Sequence, residues 1–294
     1  MFLPRAILAA VDFSEPSRVA LTYAARLAKH TGAQLRVLHA EDPLLAVAAR
    51  QAEIDLARET REELEAFMQS AAPADDWAPL HDVVTGQPVE VICDIAMRER
   101  ADLIVIGARG MSGAERRMFG STTEGVLRNA EQSVLVVPAS WRPPRPQADD
   151  LSGTGPVVAA VDLSVHSLAA ARAACDIGKT LGTSVEAVHV VPALSVLARW
   201  SVHADAAMRN REASARSELT QSLGCLRSDT PMTLSVETGP VAECLANAAT
   251  KAGRHSLLVL GRRTRTDRKG APGSIAYRVL TLAEVPLLLY VPQS

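Results

Sequence analysis

Aromatic residues are scarce: Phe, Trp and Tyr make up 3% of the 294 residues. A core with so few rings must be built from Val, Leu, Ile and Ala, which suits buried parallel strands under Ala-rich helices. Cysteine is equally sparse. Cys93, Cys175, Cys225 and Cys244 are scattered, with no Cys-x-x-Cys pair. That spacing supports neither a zinc site nor a disulfide framework and fits buried thiols in a reducing compartment. Long apolar runs are missing too. The opening MFLPRAILAAVDFS holds one short run that ends at Asp12. It is too short for a signal-peptide core or a membrane span and reads as a first β-strand. A soluble, cytoplasmic protein without a membrane partner is expected. Charge of one sign is lacking as well. The net charge of -2 creates no global field favouring nucleic acid or an anionic membrane. Finally, the chain has no Walker Lys-Ser/Thr, no kinase motif set and no Gly-x-Ser-x-Gly element.

What the chain does contain is a repeat. Ala6-Ile-Leu-Ala-Ala-Val-Asp-Phe-Ser14 matches Pro156-Val-Val-Ala-Ala-Val-Asp-Leu-Ser164. Leu35-Arg-Val-Leu-His39 matches Val185-Glu-Ala-Val-His189, and Gly86-Gln-Pro88 matches Gly239-Pro240. The strand-like runs ending at Gly107 and Gly261 correspond, as do Gly120-Ser121 with Gly273-Ser274 and the closing runs near 133–138 and 285–292. Constant order at a nearly constant offset implies duplication followed by divergence. The expected organisation is a domain over 1–140, a linker over 141–155 and a second domain over 156–294. The linker is rich in Pro and Gly and has no periodicity, and its Pro-rich half is expected to be stiff and extended.

Each copy reads β-α-β-α-β-α-β-α-β. In the first, strands are expected near 6–11, 34–39, 80–84, 102–106 and 133–137, with helices near 16–30, 44–70, 88–99 and 121–130. Ser14 is a good N-cap with Pro16 in the first turn, and Gly32 a good helix stop. Short apolar runs alternating with helices imply parallel strands joined by right-handed crossovers. The fold class is α/β: two tandem doubly wound, five-stranded parallel sheets. Ligands of such sheets sit beyond the carboxyl ends of the strands, where the strand order reverses.

At those strand ends stand Asp12, His39 and Ala40, and Gly107-Ala-Arg-Gly110. A loop then closes at Gly120-Ser121-Thr122, giving Gly-x2-Gly-x9-Gly-Ser. This is the physics of a phosphate cradle. Gly107 and Gly110 permit positive φ and close backbone approach. Gly120, Ser121 and Thr122 sit where helix N-terminal amides lack internal partners and the dipole favours anions. Arg109, Arg116 and Arg117 supply positive charge. Asp12 is placed to accept hydrogen bonds from a ribose, or to satisfy backbone amides near the following helix.

These residues resemble the universal stress protein family in its tandem form. The resemblance rests on Val11-Asp12-x-Ser14, Gly86-x-Pro88, Ala101-Asp-Leu-Ile-Val-Ile-Gly107, the full glycine loop and Val134-Leu-Val-Val-Pro138. It implies a Rossmann-like, adenine nucleotide α-hydrolase-like fold. It also implies an adenine-nucleotide site holding ATP, with or without Mg²⁺. Asp12 would meet the nucleoside, Ala10, Ile106 and Ala40 would lie at the site, with Ala40 near adenine, and Gly107, Arg109, Gly110, Gly120, Ser121 and Thr122 would surround ribose and phosphates. The strand Val134 to Val137 corresponds to the family's dimerisation edge, so an intramolecular pseudo-dimer or a homodimer is implied.

The second copy departs from this pattern. Thr264 stands where the first has its second loop glycine, and the loop is one residue shorter. Thr tolerates positive φ badly, so nucleotide is assigned to the first copy. Three functions stay open: an ATP-binding regulatory protein with an unknown protein partner, a slow ATPase, and a nucleotide-free interaction scaffold. His39 and His189 read as packed, hydrogen-bonded strand-end residues. Arg262, Arg263, Arg265, Arg268 and Lys269 read as a solvated basic loop or a second anion site. Leu56, Leu64 and Phe67 offer an apolar stripe along 44–70 for core packing or a partner.

Overall fold

The structure, a computed structural model, describes residues 2–72, 79–108, 120–145, 148, 150–193, 201–224, 230–263 and 274–292. The chain folds into two compact units, one holding Leu3–Gly153 and the other Thr154–Arg262 with residues 274–292 and Phe2.

In the first unit the strands are β1 (Ala6–Val11), β2 (Gln34–Glu41), β3 (Leu80–Thr85), β4 (Leu103–Ala108) and β5 (Ser133–Pro138). They lie in the order β3-β2-β1-β4-β5, every pair parallel. Chain order runs outward from β1 to β3, then crosses back to β4, so the strand order reverses between β1 and β4. The central strands are nearly continuous apolar runs, buried from Ile7 to Val11 and from Leu103 to Ile106, as strands covered on both faces must be. The helices are α1 (Glu15–Thr31), α2 (Pro43–Gln51), α3 (Leu56–Ala71), α4 (Pro88–Arg98) and α5 (Ser121–Asn129). Helix α1 lies on β1, β4 and β5. It buries Leu21 and the small residues Ala20, Ala24, Ala25 and Ala28, whose helical spacing lets it approach the sheet closely. Ser14 caps it through Ser17 N, and Gly32 ends it at φ 71°.

The second unit repeats the plan with β6 (Val157–Ala160), β7 (Val185–Val191), β8 (Met232–Thr238), β9 (Leu257–Gly261) and β10 (Leu287–Tyr290). The order is β10-β9-β6-β7-β8, again all parallel. Its helices are α6 (Val165–Leu181), α7 (Ser201–Gly224), α8 (Val241–Ala252) and α9 (Ser274–Leu282). Ser164 and Gly182 cap α6 as Ser14 and Gly32 cap α1. Among the described residues no helix is long and apolar enough to cross a membrane.

Two expectations need correction. The single helix over 44–70 is two helices. Helix α2 stops at Ala52, Glu53 turns into the left-handed region at φ 57°, and the Asp55 side chain caps α3 by accepting from Arg58 N at 3.3 Å. The apolar stripe survives in α3, where Leu64 is fully buried and Phe67 half-buried. The segment after β5, expected as a linker, also packs on the first unit. Trp141 is buried edge-on against Tyr23 at 4.9 Å, and Leu151 is buried. Arg26 donates to the carbonyls of Arg145 and Asp150 at 3.1 and 3.2 Å, and His30 lies 3.5 Å from the Asp150 carboxylate.

Candidate functional site

The site begins with a small hydrogen-bonded knot at the end of β1. Asp12 Oδ1 accepts from Ser14 N at 3.2 Å and from Ser14 Oγ. Ser17 Oγ donates to the Ser14 carbonyl at 2.9 Å and accepts from Asp12 N at 3.3 Å. Phe13 pivots the chain at φ 61°, in the left-handed region that bulky residues rarely enter. The second unit rebuilds the same knot. Ser164 N donates to Asp162 Oδ1 at 3.0 Å, Asp162 N to Ser167 Oγ at 3.1 Å, and Leu163 pivots at φ 65°. Burial pushes the Asp162 carboxyl up, but the combined hydrogen bonds from Ser164 and Ser167 outweigh it and leave the pKa below its ordinary value.

Next to the knot, His39 Nδ1 lies 3.0 Å from the Val11 carbonyl, and its ring stacks on Phe13 at 4.3 Å. A carbonyl only accepts, so Nδ1 carries the proton. His189 repeats this with Val161 at 2.7 Å. Both histidines are the packed, bonded residues their strand ends imply.

At the end of β4 the reason for glycine differs from expectation. Gly107 does not have positive φ. A Cβ there would lie 2.7 Å from the Pro16 carbonyl carbon and oxygen and 3.0 Å from Ser17 N. The residue is small because the first turn of α1 presses on it. At Gly261 a Cβ would likewise lie 2.4 Å from the His166 carbonyl oxygen. Thr123 Oγ1 donates to the Gly107 carbonyl at 3.1 Å and ties the start of α5 to the end of β4. Gly120 is the N-cap of α5, with extended backbone and no side chain to accept from its first turn. The leading amides of α5 are therefore left for another acceptor.

Eight expected residues, Ala10, Asp12, Ala40, Ile106, Gly107, Gly120, Ser121 and Thr122, line one cavity of about 150 Å³ at the β1/β4 reversal. Arg109 and Gly110, with the rest of the loop to 119, lie outside the described residues. Ser17, Thr123, Leu38, Pro88 and Ile92 also line it, and none of them was assigned from sequence. Two of these carried a signal. Asp12-x-Ser14-x-x-Ser17 recurs as Asp162-x-Ser164-x-x-Ser167, and Pro88 belongs to Gly86-Gln-Pro88, which the second copy matches with Gly239-Pro240. Leu38 and Ile92 carried none, because apolar wall residues look like core. No group of three His, Cys, Asp or Glu converges among the described residues in a way that could hold a metal ion.

In the second unit the residue after Gly261 is Arg262, where the first has Ala108. It is 5% exposed, and its amide donates to the Tyr290 carbonyl at 2.7 Å. It is a buried residue and not part of a solvated basic run; Arg263 is exposed. Thr264, Arg265, Arg268, Lys269 and Gly273 lie outside the described residues.

Comparison with known proteins gives the same picture. The model of the universal stress protein family matches residues 4–138 and again 154–291. A universal stress protein of Methanocaldococcus jannaschii is 31% identical over 140 residues, covering 46% of this chain and 82% of its own. One of Thermus aquaticus is 31% identical over 140 residues, covering 45% of this chain and 98% of its own. A solved universal stress protein of Archaeoglobus fulgidus shares the fold across 98% of this chain and 99% of its own, with a TM-score of 0.66 at 20% identity. A family match that covers each half of a duplicated α/β chain leaves one conclusion: the chain belongs to the universal stress protein family, as a tandem of two such domains.

Proposed function

We propose that the first unit binds ATP in the cavity between β1 and β4, and that the chain is an ATP-binding regulatory protein of the stress response. One observation carries this reading. The uncapped first turn of α5 and the Asp12 knot face one cavity whose remaining wall, with Ala10, Ala40, Leu38, Ile92 and Ile106, is apolar. The residues fit the ligand. Leading amides at a helix N-terminus, with the Ser121 and Thr122 hydroxyls, suit phosphate oxygens. The Asp12 carboxylate suits a ribose hydroxyl, and the apolar wall suits a purine face. Any Mg²⁺ would come largely on the phosphates, as it commonly does. The Arg109 and Gly110 assignments belong to the same proposal.

The test uses a substitution that separates binding from folding. Ser121 is the first residue of α5 and is exposed. Ser121→Asp puts a carboxylate where the helix dipole favours one, worth about 0.3–1 kcal/mol to the fold, and where phosphate would be repelled. ATP at about 100 times its Kd raises the wild-type stability by about 2.7 kcal/mol, read as a higher melting temperature. The variant keeps its ligand-free melting temperature or gains slightly, and loses the ATP shift. An equal ATP shift in both proteins, or none in either, defeats the reading.

A further inference from the structure

On the same unit, a groove between α4 and α5 borders the cavity. It is open to solvent and offers a volume of about 900 Å³, room for several side chains. The two helices meet closely at Gly125, where a Cβ would stand 2.4 Å from Cγ2 of Val89, a groove-lining residue. Glu90, Asp94 and Met97 occupy i, i+4 and i+7 of α4 and therefore share one face. All three are exposed, Met97 at 65%. Glu131 adds a third carboxylate beyond the end of α5. No Lys or Arg is among the described lining residues. The neighbouring Arg98 and Arg128 are paired with Glu99 and Glu124. Among the described residues these acidic groups have no opposing charge in the groove, and carboxylates around an exposed thioether repel nucleic acid and anionic lipid alike. They complement a cation on an apolar-bearing partner.

We propose that this groove docks a short basic segment of a partner protein, with an apolar side chain of that segment against Met97 and Val89. Pro88, Ser121 and Thr122 line both the groove and the cavity, so phosphate at α5 alters the docking. The docking stands independently of the nucleotide reading; the coupling rests on it.

The test selects phage-displayed random short peptides on the full chain without nucleotide, beside a Glu90→Lys/Asp94→Lys chain and a Met97→Asp chain. The wild-type chain is expected to enrich peptides with Lys or Arg flanking an apolar residue. Their affinity falls about tenfold on the charge-reversed chain and with added salt, and also falls on Met97→Asp. No enrichment, enrichment of acidic or neutral peptides, or equal binding to all three chains overturns the docking. The substituted side chains are exposed, so unfolding midpoints should hold; Glu90→Gln/Asp94→Asn replaces the reversal if its midpoint drops. ATP is then added to the wild-type complex. A change in peptide affinity of about fivefold supports the coupling. An unchanged affinity in a chain whose melting temperature ATP does raise overturns the coupling alone. A melting temperature that ATP leaves untouched overturns the nucleotide reading, and the coupling with it, while the peptide selection still decides the docking.

Discussion

Gly107 and Gly261 set how closely the first turn of each leading helix meets the sheet. Their neighbours are backbone atoms, which cannot swing aside as a side-chain tip would. Gly107→Ala and Gly261→Ala should each lower stability by about 1–3 kcal/mol without any ligand, as overpacking does. Gly224→Ala, which meets nothing within 4 Å, should be neutral or stabilising by up to about 1 kcal/mol. Urea unfolding of the three variants checks this. A harmless Gly107→Ala would return that glycine to a purely ligand-facing role. The Asp162 carboxylate gives a pH test. Its pKa is lowered on folding, so its contribution is complete above the ordinary value of 3.8 and fades as pH falls through the lower folded value. Wild type should exceed Asp162→Asn in urea midpoint at pH 7, and the gap should narrow steadily as pH falls below 3.8. A gap that widens in acid would contradict the hydrogen-bonded knot. At this scale the sequence revealed which residues matter better than why. Gly107 was marked by its pattern, but the Pro16 carbonyl that demands it is a contact across the fold and leaves no local trace.

Among the elements, those with strong punctuation were legible and the others were not. Ser14 with Pro16, and Gly32, bracketed α1 because cap chemistry is local. The break between α2 and α3 was hidden because Gln51-Ala-Glu-Ile-Asp55 contains neither Gly nor Pro. The one clue, Asp55 three residues before Arg58, resembles any acidic position on a helix. Asp55→Ala should cost about 1 kcal/mol through loss of that cap. Asp55→Asn should retain most of it, and thermal unfolding of both separates capping from charge. The segment after β5 was read from its prolines as a spacer, yet Trp141 and Leu151 are buried residues of the first unit. Trp141→Ala should destabilise by about 3–5 kcal/mol. A loss below about 1 kcal/mol, within the range of ordinary surface substitutions, would make the segment a spacer after all.

For the molecule as a whole, the duplication was the most legible feature, because β-branched strand runs and cap residues recur in order. What the repeat could not convey is how far the copies have diverged. Ala108 and Arg262 occupy the same place after matching glycines, yet one is a small residue and the other a buried cation. On the proposed reading, hydrogen exchange with saturating ATP should protect peptides spanning 6–17 and 102–129. The equivalent 157–168 and 257–263 should stay unchanged. Protection in both sets would assign nucleotide to both copies.

The parallel pairing has a consequence for how the chain comes into being. Ile7 finds its β4 partner only at Leu103, and Val157 its β9 partner only at Leu257. Each sheet therefore closes late, after a long stretch of chain has been made, and folds slowly for its size. On a ribosome the leading copy has its last strand before the trailing copy has its first. During that interval the leading copy can close on itself, which lowers the chance that equivalent strands are exchanged between repeats. Refolding from denaturant removes that head start, so yield on dilution should fall short of yield from synthesis, and separately expressed halves would recover it.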